Sequence, residues 1–379
     1  MRKFLGLLLS GLLIVGILTG CACTAIEVDV GPLSIQDSEI VTGESFIVEA
    51  NIKNIGESDG NFTASIRLDD KVVGKKKVWI AAGATEMVQF DCIAETPGTH
   101  TLKLEDSSTT FTALKPADFE VTLLSVPAEA YTRKATVIEA NVTNNGEAEG
   151  IYNGRLIVDG TEKASSNTPI AAGTTETITL TITINTPGSY TIRLDNATAT
   201  LTVFLAFPDA NLEAVIRKSI NKLEGHIYIS DLESLTTLVA QESEISDLTD
   251  IEYCVNLQEL QIGQNNISDL SPLASLTNLQ ALGLESNNIS NLSPLAGLTN
   301  LKHLWLSENN ISDISILAGL NNLDDLWLHD TNISDISPLT NNSGLSVGDF
   351  VDLRYNPLST ESINVYIPQL EARGVDITY

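Results

Sequence analysis

The sequence predicts a mainly β protein of several domains, with two tandem β-sandwiches followed by a solenoid of short repeats. Three observations predict this fold class. An apolar leader precedes the folded chain, a long segment occurs twice at an offset of 90 residues, and a unit of 22 residues recurs towards the C-terminus. Repetition at a fixed period is a strong guide to architecture, because each period corresponds to one structural unit.

The first twenty residues are predicted to be a secretory signal and not part of the fold. Two basic residues precede an apolar run, residues 4–18, which is too short for a membrane-spanning helix. The run leads into Leu-Thr-Gly-Cys at residues 18–21, which resembles the lipobox of bacterial lipoproteins. The resemblance implies that Cys21 carries a lipid and that residues 21–30 form a tether. The alternative is an ordinary secretory signal with a chance cysteine.

The long repeat is an ungapped duplication. Glu-Ala-Asn at residues 49–51 recurs at residues 139–141, and Ile-Ala-Ala-Gly at residues 80–83 recurs at residues 170–173. Within each copy, threonine, valine and isoleucine alternate with polar residues, and glycine-rich turns interrupt the runs, as expected of short strands. Several short strands in each copy predict an immunoglobulin-like β-sandwich.

Both copies resemble the bacterial cell-adhesion-related domain abbreviated CARDB. The resemblance rests on a strand that ends in an Asn-x-Gly turn, at residues 54–56 and 144–146, with an Ala-Gly turn and a Pro-Gly turn further on. It covers residues 31–115 and 118–204. The resemblance implies an immunoglobulin-like fold for each copy and a role as a spacer or adhesion module.

The short repeat begins at Leu235 and follows the leucine-rich-repeat pattern L-x-x-L-x-L-x-x-N-x-I. Two of the apolar positions lie two residues apart, so their side chains leave the same face of a short strand. The asparagine lies where the chain turns, and its side chain can satisfy backbone groups that the turn would bury unpaired. One unit cannot bury its own core, so the units are expected to stack.

The leucine-rich-repeat domain is expected to occupy residues 205–379, with a cap at each end of the repeats. Asp209 is expected to cap a helix that extends to Leu223, and the tail over residues 359–370 is expected to form a closing helix. The opening Phe-Pro-Asp segment and the Asn-Ile-Ser-Asp-Leu-Ser-Pro-Leu signature resemble internalin-type bacterial leucine-rich repeats. The predicted parts are a helical N-terminal cap at 207–234, repeats at 235–358 and a C-terminal cap at 359–379.

Two cysteines occupy positions within the repeated units. Cys92 aligns with Ile182 at the offset of 90 residues, and Cys254 aligns with Leu276 of the next short unit. A position that is isoleucine or leucine in a sister unit is a core position. Both thiols are therefore expected to be buried and free, with the role of small apolar side chains.

The sequence contains no constellation typical of catalysis or of metal binding. Ser346 lies in a Gly-x-Ser-x-Gly match, but no histidine follows it as a nucleophile elbow requires. The four histidines have no zinc spacing. The aspartate column of the repeats, such as Asp269, is expected to hydrogen bond within its own turn, since one aspartate per turn is a poor calcium cage. We therefore expect no enzymatic activity, cofactor or metal.

The concave face of the repeat strands is predicted to bind a partner. Residues that flank the buried leucines point away from the core, and the repeat register places Trp305 and Trp327 side by side in the central column. Exposed aromatic clusters tend to be binding hot spots. The alternative is that the two indoles only shield the sheet. The predicted partner-binding residues are His303, Trp305, Asp325, Trp327, His329 and Arg354.

The charge and the leader restrict the function further. A net charge of −28 opposes binding to nucleic acid. We predict an extracytoplasmic protein, lipid-anchored to the bacterial cell envelope, that recognises a protein or carbohydrate partner through its repeats. One alternative is a structural envelope protein whose sandwiches make the contacts. A surface hydrolase is a weaker alternative, because no catalytic constellation is found.

Replacing Cys21 with serine is expected to release the protein from the membrane. Several acyl chains at one residue hold a protein on a bilayer far better than one chain does, and the variant lacks the thiol that would carry the lipid. Expressed in a bacterial host, the wild type is expected in the membrane fraction with an acylated Cys21, as read by mass spectrometry. Cys23→Ser is the matched control and is expected to stay membrane-bound. Equal membrane association of both variants would contradict the prediction.

Overall fold

The computed structural model describes residues 26–37 and 39–379. The predicted signal peptide, the predicted lipidation site at Cys21 and the first part of the tether lie outside these residues. The described chain is mainly β, as predicted, and it forms two compact units. The first contains the residues up to 123 together with 140–154 and 165–178, and the second contains 124–139, 155–164 and 179–379.

The first sandwich lies in the first unit. Its strands are β1 (Val28–Val30), β2 (Ser34–Ile35), β3 (Ile40–Val41), β4 (Ser45–Asn54), β5 (Gly60–Leu68), β6 (Lys71–Ile80), β7 (Thr85–Ile93), β8 (Gly98–Leu104) and β9 (Ser107–Leu114). In one sheet β4 pairs with β1, β2 and β7, and the other sheet has the order β3-β9-β8-β5-β6. Alternate residues of β4 and β7 enter one apolar core. Strand β1 begins inside the segment assigned to the tether, because Val28 pairs with Asn54.

The second sandwich repeats this order of strands. They are β10 (Phe119–Ser125), β11 (Glu129–Tyr131), β12 (Ala135–Asn144), β13 (Gly150–Val158), β14 (Thr161–Ile170), β15 (Thr175–Thr183), β16 (Gly188–Leu194) and β17 (Ala197–Phe204). The sheet orders are β10-β12-β15 and β11-β17-β16-β13-β14. Burial alternates along β12 and along β15 from residue 177 onwards, which is the pattern the sequence predicted for strands with one face in a core.

One buried asparagine holds the predicted Asn-x-Gly turn in each sandwich. Asn54 donates from Nδ2 to the carbonyl oxygens of Ser58 at 2.8 Å and Ile80 at 3.0 Å, and its Oδ1 accepts from the Gly56 N–H at 3.0 Å. Asn144 makes the three equivalent hydrogen bonds in the second copy. Asparagine is required because no other side chain of this size both donates to carbonyls and accepts from an N–H.

The repeat region lies in the second unit and begins with helix α1 (Ala210–Ser219). Asp209 caps this helix as predicted, because its Oδ1 accepts from backbone N–H groups of the first turn, including that of Leu212 at 3.1 Å. The helix does not reach Leu223, so that prediction was wrong. Asn221 has a positive φ of 54°, which ends the helical path, and Leu223 is 73% exposed.

Seven parallel strands then form one sheet in chain order. They are β18 (Thr237–Val239), β19 (Glu259–Gln261), β20 (Ala281–Gly283), β21 (His303–Trp305), β22 (Asp325–Trp327), β23 (Phe350–Asp352) and β24 (Asp376–Thr378). The remaining helices are α2 (Ile229–Leu232), α3 (Ser337–Asn341) and α4 (Ile367–Ala372), with 3₁₀ turns at Ile251–Tyr253, Ser271–Leu273, Ser293–Gly297 and Ser315–Gly319. One apolar core, made mostly of leucine and isoleucine side chains, runs through all the repeat units of this region.

The C-terminal cap contains a strand that was not predicted. A π-helical turn at Ser362–Tyr366 continues into α4, which provides the expected closing helix. Strand β24 then pairs in parallel with β23, with Val351 opposite Ile377. This last strand follows Gly374, whose backbone is in the left-handed region with a φ of 89°. The segment lacks the paired leucines and the asparagine of the repeat pattern, so the sequence gives no repeat signal there.

The asparagine column ties each turn of the repeats to the preceding one. Asn287 donates from Nδ2 to the carbonyl oxygens of Ile262 and Leu284, both at 3.1 Å, and its Oδ1 accepts from the Ile267 N–H at 2.9 Å. The equivalent asparagines of the neighbouring units make the same bonds. Each asparagine thereby satisfies backbone groups of two successive units, which would otherwise be buried without partners.

A buried ion pair lies inside the second unit. Arg133, in a turn of the second sandwich, donates from Nη1 to Asp250 Oδ1 at 3.0 Å and from Nη2 to Asp250 Oδ2 at 2.5 Å. Asp250 belongs to the first repeat and is 1% exposed. Burial raises the pKa of the Asp250 carboxyl, and the Arg133 guanidinium opposes that shift. The pair thus joins two segments that are far apart in the sequence.

Cys92 and Cys254 are free thiols and are buried, which confirms the prediction for both. Burial raises the pKa of Cys92 to about 11 and that of Cys254 to about 12. A thiol with so high a pKa is almost entirely protonated at neutral pH, and the protonated form is a poor nucleophile. Both side chains therefore act as packing groups.

His100 in β8 is 7% exposed and lies between two acceptors. Its Nδ1 is 2.6 Å from Asp69 Oδ2, and its Nε2 is 2.7 Å from the Thr96 carbonyl oxygen. Only the protonated imidazole donates from both nitrogens. The hydrogen bond with Asp69 raises the pKa of His100, and the same bond lowers the pKa of Asp69. At the equivalent position of the second sandwich, the Tyr190 hydroxyl donates to the Thr186 carbonyl at 2.8 Å.

The stability of the first sandwich is expected to fall as the pH rises above the ordinary pKa of a histidine, roughly 6.5. A histidine with a raised folded-state pKa stabilises the fold below its unfolded pKa, roughly 6.5, and this contribution is lost above the folded pKa. The pKa of Asp69 is lowered in the folded state, so its contribution to stability is lost only in acid, as the pH falls through that lowered pKa. Native-state hydrogen exchange of the β8 amides, corrected for intrinsic rates, measures the effect.

His100→Tyr is the matched variant, because it copies the residue at the equivalent position of the second sandwich. It is expected to remove the fall in β8 stability above about pH 6 while the sandwich still folds. An unchanged pH dependence in His100→Tyr would show that another group titrates.

Candidate functional site

The strand face of the repeats comprises the side chains of β18–β23 that point away from the leucine core. Pairing of β21 with β22 places Trp305 opposite Trp327 and His303 opposite Asp325, as the repeat register predicted. Leu304 between them is fully buried. Because each three-residue strand alternates, the residues on either side of such a leucine lie together on the opposite face.

One carboxylate links the two tryptophans. The Trp305 Nε1–H donates to Asp325 Oδ2 at 3.1 Å, and the Trp327 Nε1–H donates to Asp325 Oδ1 at 2.7 Å. Indole N–H groups need an acceptor when they are partly buried, and a single aspartate meets both needs here. Asp325 therefore fixes the orientation of both rings relative to the sheet. The repeat register placed Asp325 beside the tryptophans but did not predict this bond pattern.

Each indole ring also packs against its own neighbours. The Trp305 ring stacks on the His303 ring, with centroids 6.0 Å apart and an interplanar angle of 10°. The Trp327 ring contacts His329 with centroids 6.2 Å apart and Phe350 with centroids 5.8 Å apart, both edge-to-face. Trp327 remains 36% exposed. The strand face therefore presents two groups of rings, one around Trp305 and one around Trp327, which Asp325 links.

His303 lies opposite Asp325 in the strand pairing, but its nearest acidic neighbour is Asp324. Its Nδ1 lies 3.1 Å from Asp324 Oδ1 and 3.8 Å from Asp325 Oδ2. The reason is that both oxygens of Asp325 already accept from the indoles. His303 therefore supports the Trp305 ring by stacking, and Asp324 is its nearer acidic neighbour.

Arg354 is paired with an acid of the same strand face. Its Nε donates to Asp352 Oδ1 at 2.9 Å and its Nη2 donates to Asp352 Oδ2 at 2.6 Å. Asp352 is fully buried, whereas the Arg354 side chain is 45% exposed. Burial alone would raise the pKa of Asp352, but the hydrogen bonds from Arg354 outweigh it and hold the pKa below its usual value. Arg354 thus neutralises Asp352.

A cavity of about 330 Å³ opens beside the tryptophans. Three of the predicted residues line it, namely Trp305, Trp327 and His329, whereas His303, Asp325 and Arg354 do not. The lining residues that were not predicted are Gln264, Glu285, Ser286, Ser307 and Glu308. Gln264, Ser286 and Glu308 occupy equivalent positions in successive repeats, and each has a positive φ of 52–57°. The positive φ belongs to the turn after each strand, and strand alternation alone does not reveal it.

Two glycines make room for polar side chains across the sheet. A Cβ at Gly263 would lie 2.3 Å from Glu285 Oε1, and a Cβ at Gly283 would lie 2.1 Å from Gln261 Oε1. Glu285 Oε1 also accepts from Gln241 Nε2 at 3.0 Å. The glycines therefore allow the Glu285 carboxylate to lie flat on the strand face next to the cavity.

The other sequence candidates have structural roles. Ser346 lies in a turn, without a strand before it and a helix after it, and its N–H donates to Asp349 Oδ2 at 2.7 Å. Asp269 accepts from the Ser271 N–H at 2.8 Å, as predicted for its column, and this hydrogen bonding to Ser271 lowers the pKa of Asp269. Over residues 26–37 and 39–379, no group of three or more His, Cys, Asp or Glu residues is placed to hold a metal ion.

Tandem sandwiches followed by a repeat sheet with an aromatic face define a protein of the binding or adhesion class. The family model described as CARDB matches residues 28–111 and 116–199. The family model described as "Leucine Rich repeats (2 copies)" matches residues 255–297 and 299–341. The chain therefore carries two CARDB domains followed by a leucine-rich-repeat region. Domains of these two types are typically non-catalytic, and they indicate an extracellular or cell-surface protein.

Solved structures similar to this chain include bacterial leucine-rich-repeat proteins. An internalin (inlF) of Listeria monocytogenes is 30% identical, with 45% of this chain and 55% of that chain covered and a TM-score of 0.38. Internalin C2 of the same organism is 27% identical, with coverage of 45% and 93% and a TM-score of 0.34. A leucine-rich-repeat protein of Leptospira interrogans is 23% identical, with coverage of 40% for each chain and a TM-score of 0.36.

The chain spans 55% of the length of the inlF internalin chain that it matches. A search of curated proteins found no match. Within the part of the chain that the structure describes, no helix is long and apolar enough to cross a membrane.

Replacing Leu306 with alanine is expected to destabilise the repeats far more than replacing Trp305. Leu306 is fully buried in the core, so the shorter side chain leaves a cavity and costs about 2–5 kcal/mol of unfolding free energy. Trp305 lies on the opposite face and is only half-buried, so Trp305→Ala is expected to cost about 1 kcal/mol or less. Chemical denaturation of both full-length variants compares them. An equal loss in the two would show that Trp305 is a core residue.

Proposed function

We propose that this protein is a lipid-anchored bacterial surface protein that recognises a protein or carbohydrate partner through the strand face of its repeats. The observation that carries the proposal is the pair of tryptophans held by Asp325 beside a cavity of about 330 Å³. Aromatic residues at the centre of a patch with a polar rim are typical of recognition sites, because they combine desolvation with specificity.

The fixed orientation of the rings favours recognition over simple shielding of the sheet. A side chain that only covers a sheet has no need for an oriented edge, whereas both indoles here donate to one carboxylate. A surface that is already ordered before binding loses less conformational entropy when a partner docks. The arrangement suits either a protein surface or the apolar face of a sugar ring.

The leader and the domain types of the protein both support a location at the cell surface. The lipobox-like sequence that ends at Cys21 supports a lipid anchor, and CARDB and leucine-rich-repeat domains occur together here in one chain.

A second candidate function is a contact made by the sandwiches. One observation favours it: in the first sandwich Trp79 is 58% exposed and Met87 is 57% exposed. Large apolar side chains at such exposure can form a contact patch of their own. The strand face remains the stronger candidate, because its aromatic residues adjoin a cavity, whereas Trp79 lines neither that cavity nor the one beside His100.

Replacing Trp305 or Trp327 with alanine is expected to weaken partner binding by about 2 kcal/mol, roughly thirtyfold, which is the loss typical of a hot-spot residue. The full chain is first screened against arrays of surface proteins and glycans. Each binder is then titrated with Trp305→Ala, Trp327→Ala and Trp79→Ala. Trp79 is the matched control, because its replacement removes the same kind of exposed side chain from the first sandwich.

Each result of this comparison favours one function. Loss of binding in the two repeat variants, with Trp79→Ala unchanged, supports recognition by the strand face. Loss in Trp79→Ala alone supports contact through the sandwiches. Undiminished binding in Trp305→Ala and Trp327→Ala, with normal folding of both variants, would overturn the proposal.

A further inference from the structure

The cavity beside the tryptophans contains polar atoms without partners. Ser307 lines it and is 3% exposed, and the Ser307 hydroxyl has no hydrogen-bonding partner in the part of the chain that is described. Oε2 of Glu285, which also lines the cavity, is buried and unpaired among the same residues. A buried polar atom without a partner costs free energy, so it points to a group that arrives with the ligand. For a carboxylate oxygen, that group must be a hydrogen-bond donor.

The charges around the cavity are negative. Its eight lining residues include Glu285 and Glu308, and none of them is lysine or arginine. Between Lys222 and Arg354 the sequence has a single lysine or arginine, Lys302, and Arg354 is already paired with Asp352. Unlike charges attract most strongly in a partly desolvated cleft, so this arrangement favours a cationic group and disfavours an anionic one.

The aromatic part of the lining favours the same kind of group. Trp305 and Trp327 both line the cavity, and tryptophan is the side chain whose ring face attracts cations most strongly. Lysine and arginine side chains combine an apolar stem with a charged head, so one side chain contacts the indoles and a carboxylate together. A volume of about 330 Å³ lies at the lower end of the range for ligand pockets, roughly 300–1,000 Å³, which suits a single side chain.

We infer that this cavity receives a lysine or arginine side chain of a protein partner, with the charged head at Glu285 and Glu308 and the stem against Trp305 and Trp327. The inference rests on the proposed function, since it names the partner chemistry for the same strand face. The inference favours a basic protein surface over a neutral sugar as the partner, because a neutral sugar has no charge to pair with the two carboxylates. Gly263 is a positioning residue, because only glycine leaves space for the Glu285 carboxylate.

A display library of random seven-residue peptides, selected on the full-length protein, tests the inference. Enriched peptides are expected to contain lysine or arginine. Replacing that residue by norleucine, which keeps the apolar stem and removes the charge, is expected to weaken binding about tenfold, as is Glu285→Gln or Glu308→Gln in the protein. Glu371→Gln is the matched control, because it removes one exposed carboxylate from the closing helix, away from the strand face.

A further variant separates charge from position. Gly263→Ala keeps every charge but displaces the Glu285 carboxylate, so it is expected to weaken binding of the enriched peptide. Added to Glu285→Gln, the same change is expected to cause no further loss of binding, because the charge that it displaces is already absent. The affinity of the wild type is also expected to fall with added salt, because a charged contact at a surface cleft is screened.

The inference and the proposed function fail in different ways. Enriched peptides without lysine or arginine, no enrichment at all, or equal affinity for the norleucine peptide would overturn the cationic pocket. If Trp305→Ala still abolishes binding of a protein or glycan in that case, recognition by the strand face stands. If binding survives both tryptophan variants, the proposed function itself is wrong.

Discussion

The repeat region depends on one constraint, which is that every sharp turn buries backbone groups that must find hydrogen-bonding partners. Asn265, Asn287 and Asn309 meet it by bonding to carbonyl and N–H groups of two successive units. Because each bond spans two units, the asparagines also hold neighbouring strands in register. That register is what brings Trp305 opposite Trp327, so the outer face depends on side chains inside the turns. Where Thr331 interrupts the column, its hydroxyl still donates to the Leu328 carbonyl oxygen at 3.0 Å, and Asn356 makes the usual bonds of the column to Leu328 and Ile333 in the next turn.

Features that depend on a fixed period were predictable from the sequence, whereas features that depend on local geometry were not. A period of 22 residues was enough to assign the columns of the strand face, and an offset of 90 residues was enough to recognise two copies of one sandwich. The end of α1 depends on the left-handed Asn221, and the last strand β24 has no repeat signal. The bonds from both indoles to Asp325, and the space that Gly263 leaves for Glu285, depend on side-chain rotamers, which no spacing pattern contains.

The two sandwiches show which interactions this fold keeps and which it exchanges. Both retain the buried asparagine of the Asn-x-Gly turn, because it satisfies three backbone groups of the turn and of a neighbouring strand. Cys92 and Ile182 fill the same core position, since a small thiol and an aliphatic side chain both pack there. His100 and Tyr190 differ in chemistry but contact the equivalent carbonyl oxygen in each copy. Both copies therefore have this contact, but only the contact of His100 depends on protonation.

The ion pair of Arg133 and Asp250 has a consequence for how the second unit unfolds. Asp250 is fully enclosed in the first repeat, and its counter-charge comes from a turn of the second sandwich. If the sandwich turn opened alone, it would leave the Asp250 carboxylate buried without its partner, and removing one member of such a pair costs several times more than a surface contact. Partial opening at this point is therefore disfavoured, and the two segments are coupled into one cooperative transition. A fragment cut between them would lose that coupling even though every leucine of the solenoid remained in place.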